Sequence, residues 1–212
     1  MKITPEKHLA LVDPKFAELF KKYKLEPHRR LPRTHFEALV EAIISQQLSV
    51  KAADTIFARF VALFPRSKFP KPEAVLKLSL AKFRAVGISG QKSLYIKDLS
   101  ARIVSRELKL NSLHKLDNEA VIDELTKVKG IGRWTAEMFL MFTLRRPDVF
   151  STGDLGLRNA IQKLYNMKTP PTERQLERIS KRWVPHRTTA ARYLWKSLEN
   201  SWKTLDKPSR NY

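Results

Sequence analysis

The chain has no cysteine among its 212 residues, which excludes a disulfide framework, Cys-ligated zinc, an iron–sulfur cluster and a thiol nucleophile. Long apolar runs are missing too. No stretch approaches the roughly 18 apolar residues of a membrane span, and the opening segment MKITPEKHLALVDPKF lacks the apolar core of a signal peptide. A soluble, intracellular protein is expected, in the cytoplasm or on the nucleoid of a prokaryote, or in the nucleus of a eukaryote. Alternation of strand type is absent, which argues against a sheet. Acids are scarce: 21 Asp+Glu against 41 Lys+Arg leave a formal net charge of +20. With 42% hydrophobic and 29% charged residues the composition is globular rather than that of a disordered basic tail. Such a surface attracts a polyanion.

What the sequence does contain is helical periodicity, broken at Pro and Gly clusters. Asp13 before Pro14 reads as an N-cap and first-turn pair, with Phe16, Leu19, Phe20 and Tyr23 on one face. Thr34 and Glu37 have capping-box spacing, and Phe36, Leu39, Val40, Ile43, Ile44, Gln47 and Leu48 follow the i, i+3, i+4, i+7 rule into ISQQLS. Further helices are predicted over 52–64, around 74–78 and 80–86, and, after an interruption from Gly87 to Gly90, over about four turns to Glu107. After Asp117, a further N-cap, one runs to near Val128 and another over 134–144, whose MFLMF core is apolar on all sides. Past the loop DVFSTGD come helices over 155–165, after the Thr172/Gln175 cap, and after Pro185. The pattern amounts to about ten helices and no sheet, an all-α fold.

Two segments resemble one another. Phe83–Ile96 and Leu125–Met138 both read helix, Val, Gly-containing turn, helix, with Val86/Val128 and Gly90/Gly132 in register. In the second, V-K-G-I-G-R-W, the glycines let the next helix begin at once, and amides at a helix start form an anion site. Lys127, Lys129 and Arg133 add charge beside Gly130 and Gly132, and Ile131 can plug between the two helices. A G-x-G turn also simply joins packed helices. With the +20 charge, sequence-independent and salt-sensitive contact with a phosphate backbone is the functional reading.

Asp154 opens a helix whose apolar face is Leu157, Ile161 and Leu164, so an N-cap role would explain it. A carboxylate near a phosphate grip nevertheless weakens binding, and a chemical task would justify it. Hydrolysis of an N-glycosidic bond is such a task. The departing base leaves oxocarbenium character on the sugar, which a carboxylate stabilises while orienting or deprotonating water. The nucleotide must first be flipped from the duplex, with a wedge filling its place.

These residues resemble the helix–hairpin–helix DNA glycosylases of the 3-methyladenine DNA glycosylase II type. The likeness runs from Phe36 to Trp195 and rests on IISQQLSVKAADTI (Ile43–Ile56), VKGIGRWTAEMFLMF (Val128–Phe142), PDVFSTGDLGLRNAI (Pro147–Ile161) and WVPHRTTAARYLW (Trp183–Trp195). It implies two helical subdomains flanking a DNA-binding cleft within a single domain over 1–212. One subdomain would span about 34–112 and carry the wedge; the other, about 1–33 with 113–212, would carry the hairpin and the catalytic Asp154. The wedge region falls on Gln46, Gln47 and Ser49, with Gln47 entering the stack and Ser49 facing the minor groove. Trp134 and Trp195 would line the base pocket, their indoles favouring cationic alkylated purines.

Relatives that also cleave the strand carry a Lys where Trp134 stands, so the resemblance implies a monofunctional enzyme without lyase activity. Met138 and Leu155 are aliphatic where family members often place aromatics. The implied partner is double-stranded DNA with alkylated bases, bound by a monomer away from any membrane. No cofactor is implied beyond a monovalent cation on hairpin carbonyls. His28, His35, His114 and His186 lack metal-ligand spacing. Arg187 orients the last helix or contacts DNA. The alternative to an enzyme is a catalytically weak homologue that binds abasic or distorted DNA.

Overall fold

Side-chain caps begin most of the helices. In the computed structural model, which describes residues 3–26 and 34–202, Thr4 starts α1 (Pro5–Val12) and Asp13 starts α2 (Pro14–Lys22). Thr34 starts α3 (His35–Ser45), Ser49 α4 (Val50–Ala62), Ser79 α6 (Leu80–Ala85), Ser89 α7 (Gly90–Val104) and Asp117 α8 (Asn118–Thr126). Asp154 starts α10 (Leu155–Leu164), and Thr172 opens α11 (Glu173–Ser180) with a full capping box. Each side-chain oxygen accepts an amide that its helix would otherwise leave unpaired. The short α5 (Pro72–Leu76), the hairpin helix α9 (Arg133–Met138) and the final α12 (Arg187–Trp202) complete an all-α chain, with no strand among the described residues. No described helix is long and apolar enough to cross a membrane.

The chain folds as two compact units, Leu31–Leu144 and the discontinuous Met1–Arg30 with Arg145–Tyr212. This division differs from the expected one, because the hairpin joins the wedge segment instead of Asp154. The reason is a set of bonds across the first unit: Gln46 Nε2 donates to Gly130 O at 2.8 Å, and Lys129 N donates to Asp98 Oδ2 at 2.9 Å. His35 adds an edge contact to the Phe139 ring. The core of that unit comes from α3 (Phe36, Leu39, Val40, Ile43, Ile44), Phe60, Phe83, Ile96, Leu125 and Leu140, all buried.

Three local readings change. The helix α3 stops at Ser45, so Gln47 and Leu48 do not continue its face; Gln47 takes φ 58 and Leu48 N donates back to Ser45 O. The helix expected over 134–144 begins at Arg133 and widens into a π-helical turn, Phe139–Thr143, closed by Leu144 N on Phe139 O. The two similar hairpins align one residue away from the expected register. Gly87 (φ 98) matches Gly130 (φ 82), and the buried plugs are Ile88 and Ile131. In that register Val86 stands opposite Lys129 and Gly90 opposite Arg133, so neither Val86 and Val128 nor Gly90 and Gly132 are equivalent.

In the second unit, chain segments far apart in sequence meet at one carboxylate. Asp13 ends α1, begins α2 and is almost fully buried. Its Oδ2 accepts the indole N–H of Trp183 at 2.9 Å and the Tyr165 hydroxyl, and Arg182 Nη2 lies 3.5 Å away. Trp183 has no exposed surface and packs edge-on against Phe16 and Phe150. Burial and the bond to Asp13 push the Tyr165 phenol above its ordinary value. A buried charge is tolerated only when paired, so removing it strands its donors. Asp13→Ala is expected to lower stability by about 2 to 4 kcal/mol through lost capping and an unpaired indole N–H. Urea unfolding monitored by circular dichroism checks this.

Candidate DNA-binding hairpin and active site

The hairpin sits between α8 and α9. Gly130 is required by the fold for two reasons: its φ of 82 is a conformation side chains rarely adopt, and an added Cβ would lie 2.1 Å from the Tyr95 ring. Gly132 is different, since a Cβ there would meet nothing within 4 Å. It is nonetheless the N-cap of α9 and, having no side chain, offers no capping oxygen. The start of α9 therefore lacks the side-chain cap that opens α8 and α10.

The surrounding cations are unequal. Arg133 makes a two-pronged bond to Glu119, at 2.6 and 2.8 Å, and a third bond to Glu137 at 3.1 Å. Hydrogen bonding to Arg133 holds the Glu119 carboxyl below its usual range, and Glu119 in turn raises the guanidinium. Lys127 Nζ pairs with Glu124 at 2.6 Å. Lys129 is exposed, and its backbone amide is bound to Asp98. Of the three expected phosphate-binding cations, two are thus engaged by carboxylates. A monovalent cation would use hairpin carbonyls, of which Gly130 O already accepts from Gln46 and Val128 O from Ile131 N. Among the described residues, no group of three or more His, Cys, Asp or Glu could hold a metal ion.

The two glutamines part company. The Gln46 side chain is a strut to the hairpin, whereas Gln47 is exposed at its left-handed backbone position. Ser49 caps α4 by accepting from Ala52 N at 3.4 Å. Trp134, in the first turn of α9, is 44% exposed. All these lie in the unit Leu31–Leu144.

Asp154 and Trp195 lie in the other unit and meet directly. Asp154 is 8% exposed, and its Oδ1 accepts Leu157 N at 2.7 Å and Trp195 Nε1 at 2.9 Å. The capping role is therefore real, and a second donor is added to it. Glycine at 156 permits the approach, since a Cβ there would stand 3.0 Å from Asp154 Oδ1 and 3.1 Å from the indole. The loop ahead of Asp154 is clasped by the start of α12. Arg187 grips both Asp148 carboxylate oxygens at 2.7 and 2.8 Å, Thr188 Oγ1 donates to Arg146 O at 2.6 Å and accepts Val149 N at 3.1 Å. Arg187 thus orients the last helix. Asp148 and Thr188 escaped sequence reasoning because no local pattern links positions 39 residues apart. His28 lies outside the described residues; His35, bonded to Leu110 O, is a packing residue.

The two hairpin glycines predict opposite outcomes. Gly130→Ala is expected to cost about 2 kcal/mol or more through backbone strain and collision with Tyr95. Gly132→Ala should stay within about 0.5 kcal/mol of the parent. Thermal melts of the two variants distinguish them.

Residues 40–186 match the family described as HhH-GPD superfamily base excision DNA repair protein. The DNA-3-methyladenine glycosylase 1 of Schizosaccharomyces pombe is 36% identical over 195 residues, which span 91% of this chain and 86% of that relative. The solved structure of the Schizosaccharomyces pombe 3-methyladenine DNA glycosylase in complex with abasic DNA is similar with a TM-score of 0.81 and 35% identity, covering 97% of this chain and 99% of that one. That of a DNA-3-methyladenine glycosidase from Bacillus halodurans reaches a TM-score of 0.83 at 34% identity, covering 94% and 92%. A G-x-G hairpin whose second glycine the fold does not require, an aspartate pinned at a helix start, and these matches agree: the chain belongs to the HhH-GPD superfamily of base excision DNA repair proteins.

Proposed function

We propose that this chain is a monofunctional DNA glycosylase of the 3-methyladenine II type, which excises alkylated purines from duplex DNA and leaves an abasic site. The observation that carries the reading is the Asp154 carboxylate, buried at the start of α10 with Oδ1 held by two N–H donors. A group fixed in this way loses no freedom when charge develops beside it, which is the requirement for electrostatic stabilisation of a transition state. The names of the Schizosaccharomyces pombe and Bacillus halodurans relatives support the substrate class.

In this mechanism the net charge of +20 draws the protein to DNA, and the α9 amides with Lys129 take hold of the backbone. Gln47 enters the stack as the damaged nucleotide leaves it. The indole of Trp134 meets the extruded base, whose positive charge favours an electron-rich face. The C1′–N bond then breaks with its electron pair moving onto the cationic purine, which departs neutral and needs no strong general acid. Asp154 faces the oxocarbenium sugar and takes a proton from the water that bonds to C1′. Trp134 has no amine with which to form a Schiff base, so water is the nucleophile and the strand stays intact. Hairpin carbonyls are the groups that would hold a monovalent cation, whose effect would be to stiffen the turn.

Release of 3-methyladenine from methylated duplex DNA should fall by about 100-fold or more in Asp154→Asn, with binding to an abasic duplex retained. Equal release by parent and variant would sink the mechanism. Release by neither, with tight abasic-site binding, would favour a damage-binding homologue. Borohydride should trap no covalent DNA adduct, and an adduct would overturn the monofunctional assignment. Gly132→Ala should weaken binding to damaged and undamaged duplexes by similar factors, because the amides read phosphate and not base.

A further inference from the structure

One stripe of α7 touches both DNA-facing elements of its unit. Lys92, Tyr95 and Asp98 recur at intervals of three along that helix, so they share a face. At the first position, Lys92 Nζ donates to Ile44 O and Gln46 O, each at 2.7 Å. These are carbonyls at the end of α3, where a helix leaves acceptors unpaired and where its dipole favours a cation. One turn on, the Tyr95 ring fills the space under Gly130, and next Asp98 receives Lys129 N. Gln46 closes the figure by donating from the same turn to Gly130 O.

Between these braces stands Gln47, exposed and left-handed, a conformation a residue with a side chain avoids unless its surroundings impose it. Lys92 supplies that imposition on one side and Gln46 on the other. Partial burial keeps the Lys92 ammonium below its ordinary value, so the placement is unfavourable for the lysine itself. An exposed solvating lysine would not be held against two carbonyls in this way.

We propose that Lys92 is a positioning residue for duplex opening: its ammonium ties the end of α3 to α7 and so holds Gln47 outward at a set distance from the hairpin. This rests on the reading that Gln47 enters the DNA stack. Lys92 touches no substrate and acts through Gln47 alone, so its effect should depend on whether the lesion must be unstacked.

The experiment compares excision of N7-methylguanine from a fully paired duplex with excision of the same lesion in a single-nucleotide bulge, using the full chain. Lys92→Met keeps the aliphatic stem and removes the donors. It is expected to lose about tenfold on the paired substrate and little on the bulge. Lys92→Arg should recover most of the loss, and Gln47→Ala should show the same split. The double variant should be no worse than Gln47→Ala, because the two act as one unit.

A 2-aminopurine beside the lesion should brighten when the parent binds and stay dim with Lys92→Met. Should Lys92→Met not fold, Lys92→Gln, an uncharged donor on a shorter stem, takes its place with the same expected split. Equal losses on both substrates, losses that add to those of Gln47→Ala, or bright 2-aminopurine with Lys92→Met would each overturn the proposal. A normal Gln47→Ala on paired DNA would instead overturn the wedge reading, and the proposal with it; an impaired Gln47→Ala beside a normal Lys92→Met would overturn the proposal alone.

Discussion

A protein built of short helices has many helix ends, and each end leaves backbone groups that must find partners. This constraint governs the molecule. Nearly every helix start is closed by a Thr, Ser or Asp side chain from the residue before it, as at Thr34, Ser89 and Thr172. The candidate site elements are among the ends treated differently. At Gly132 the side-chain cap is missing. At Asp154 the cap is present but its oxygen also accepts a distant indole. At the end of α3 the carbonyls are taken by a lysine from another helix.

The same economy shapes the electrostatics. A chain with 41 basic and 21 acidic residues has long-range attraction for a polyanion whichever individual cations make contact. Close to the hairpin, however, acids hold basic side chains in place: Glu119 and Glu137 on Arg133, Glu124 on Lys127. The Glu119 and Glu124 pairs are exposed and contribute little stability, whereas Glu137 is buried against its arginine. Their effect is to order the long side chains around α8 and α9.

In the unit that carries Asp154, α12 provides the order. Its first turn clasps the 146–149 loop through Arg187 and Thr188, and two turns later Trp195 reaches the carboxylate. One rigid helix therefore sets both the approach of the chain to Asp154 and the direction of one carboxylate oxygen. Gly156 leaves room for the indole. The hub at Asp13 then joins α1 and α2 to Trp183, just ahead of α12, by bonds that span most of the sequence.

Helix identity, most helix starts, the hairpin and the family likeness could all be read from the sequence, because periodicity and capping act over one or two turns and leave a local signature. Asp13, Thr34, Asp117 and Thr172 are caps that their neighbours announce. Thr4 before Pro5 carried the same signal for α1. The end of α3 at Ser45 was less legible, since apolar spacing continues through Leu48 while the backbone turns at Gln47. Tertiary structure alone decided which unit holds the hairpin, that Arg133 is paired, and that Lys92, Arg187 and Trp195 act on Ile44, Asp148 and Asp154. Those partners lie 48, 39 and 41 residues away. A bond across such distances depends on how helices pack, and packing leaves no periodic trace in the residues it brings together.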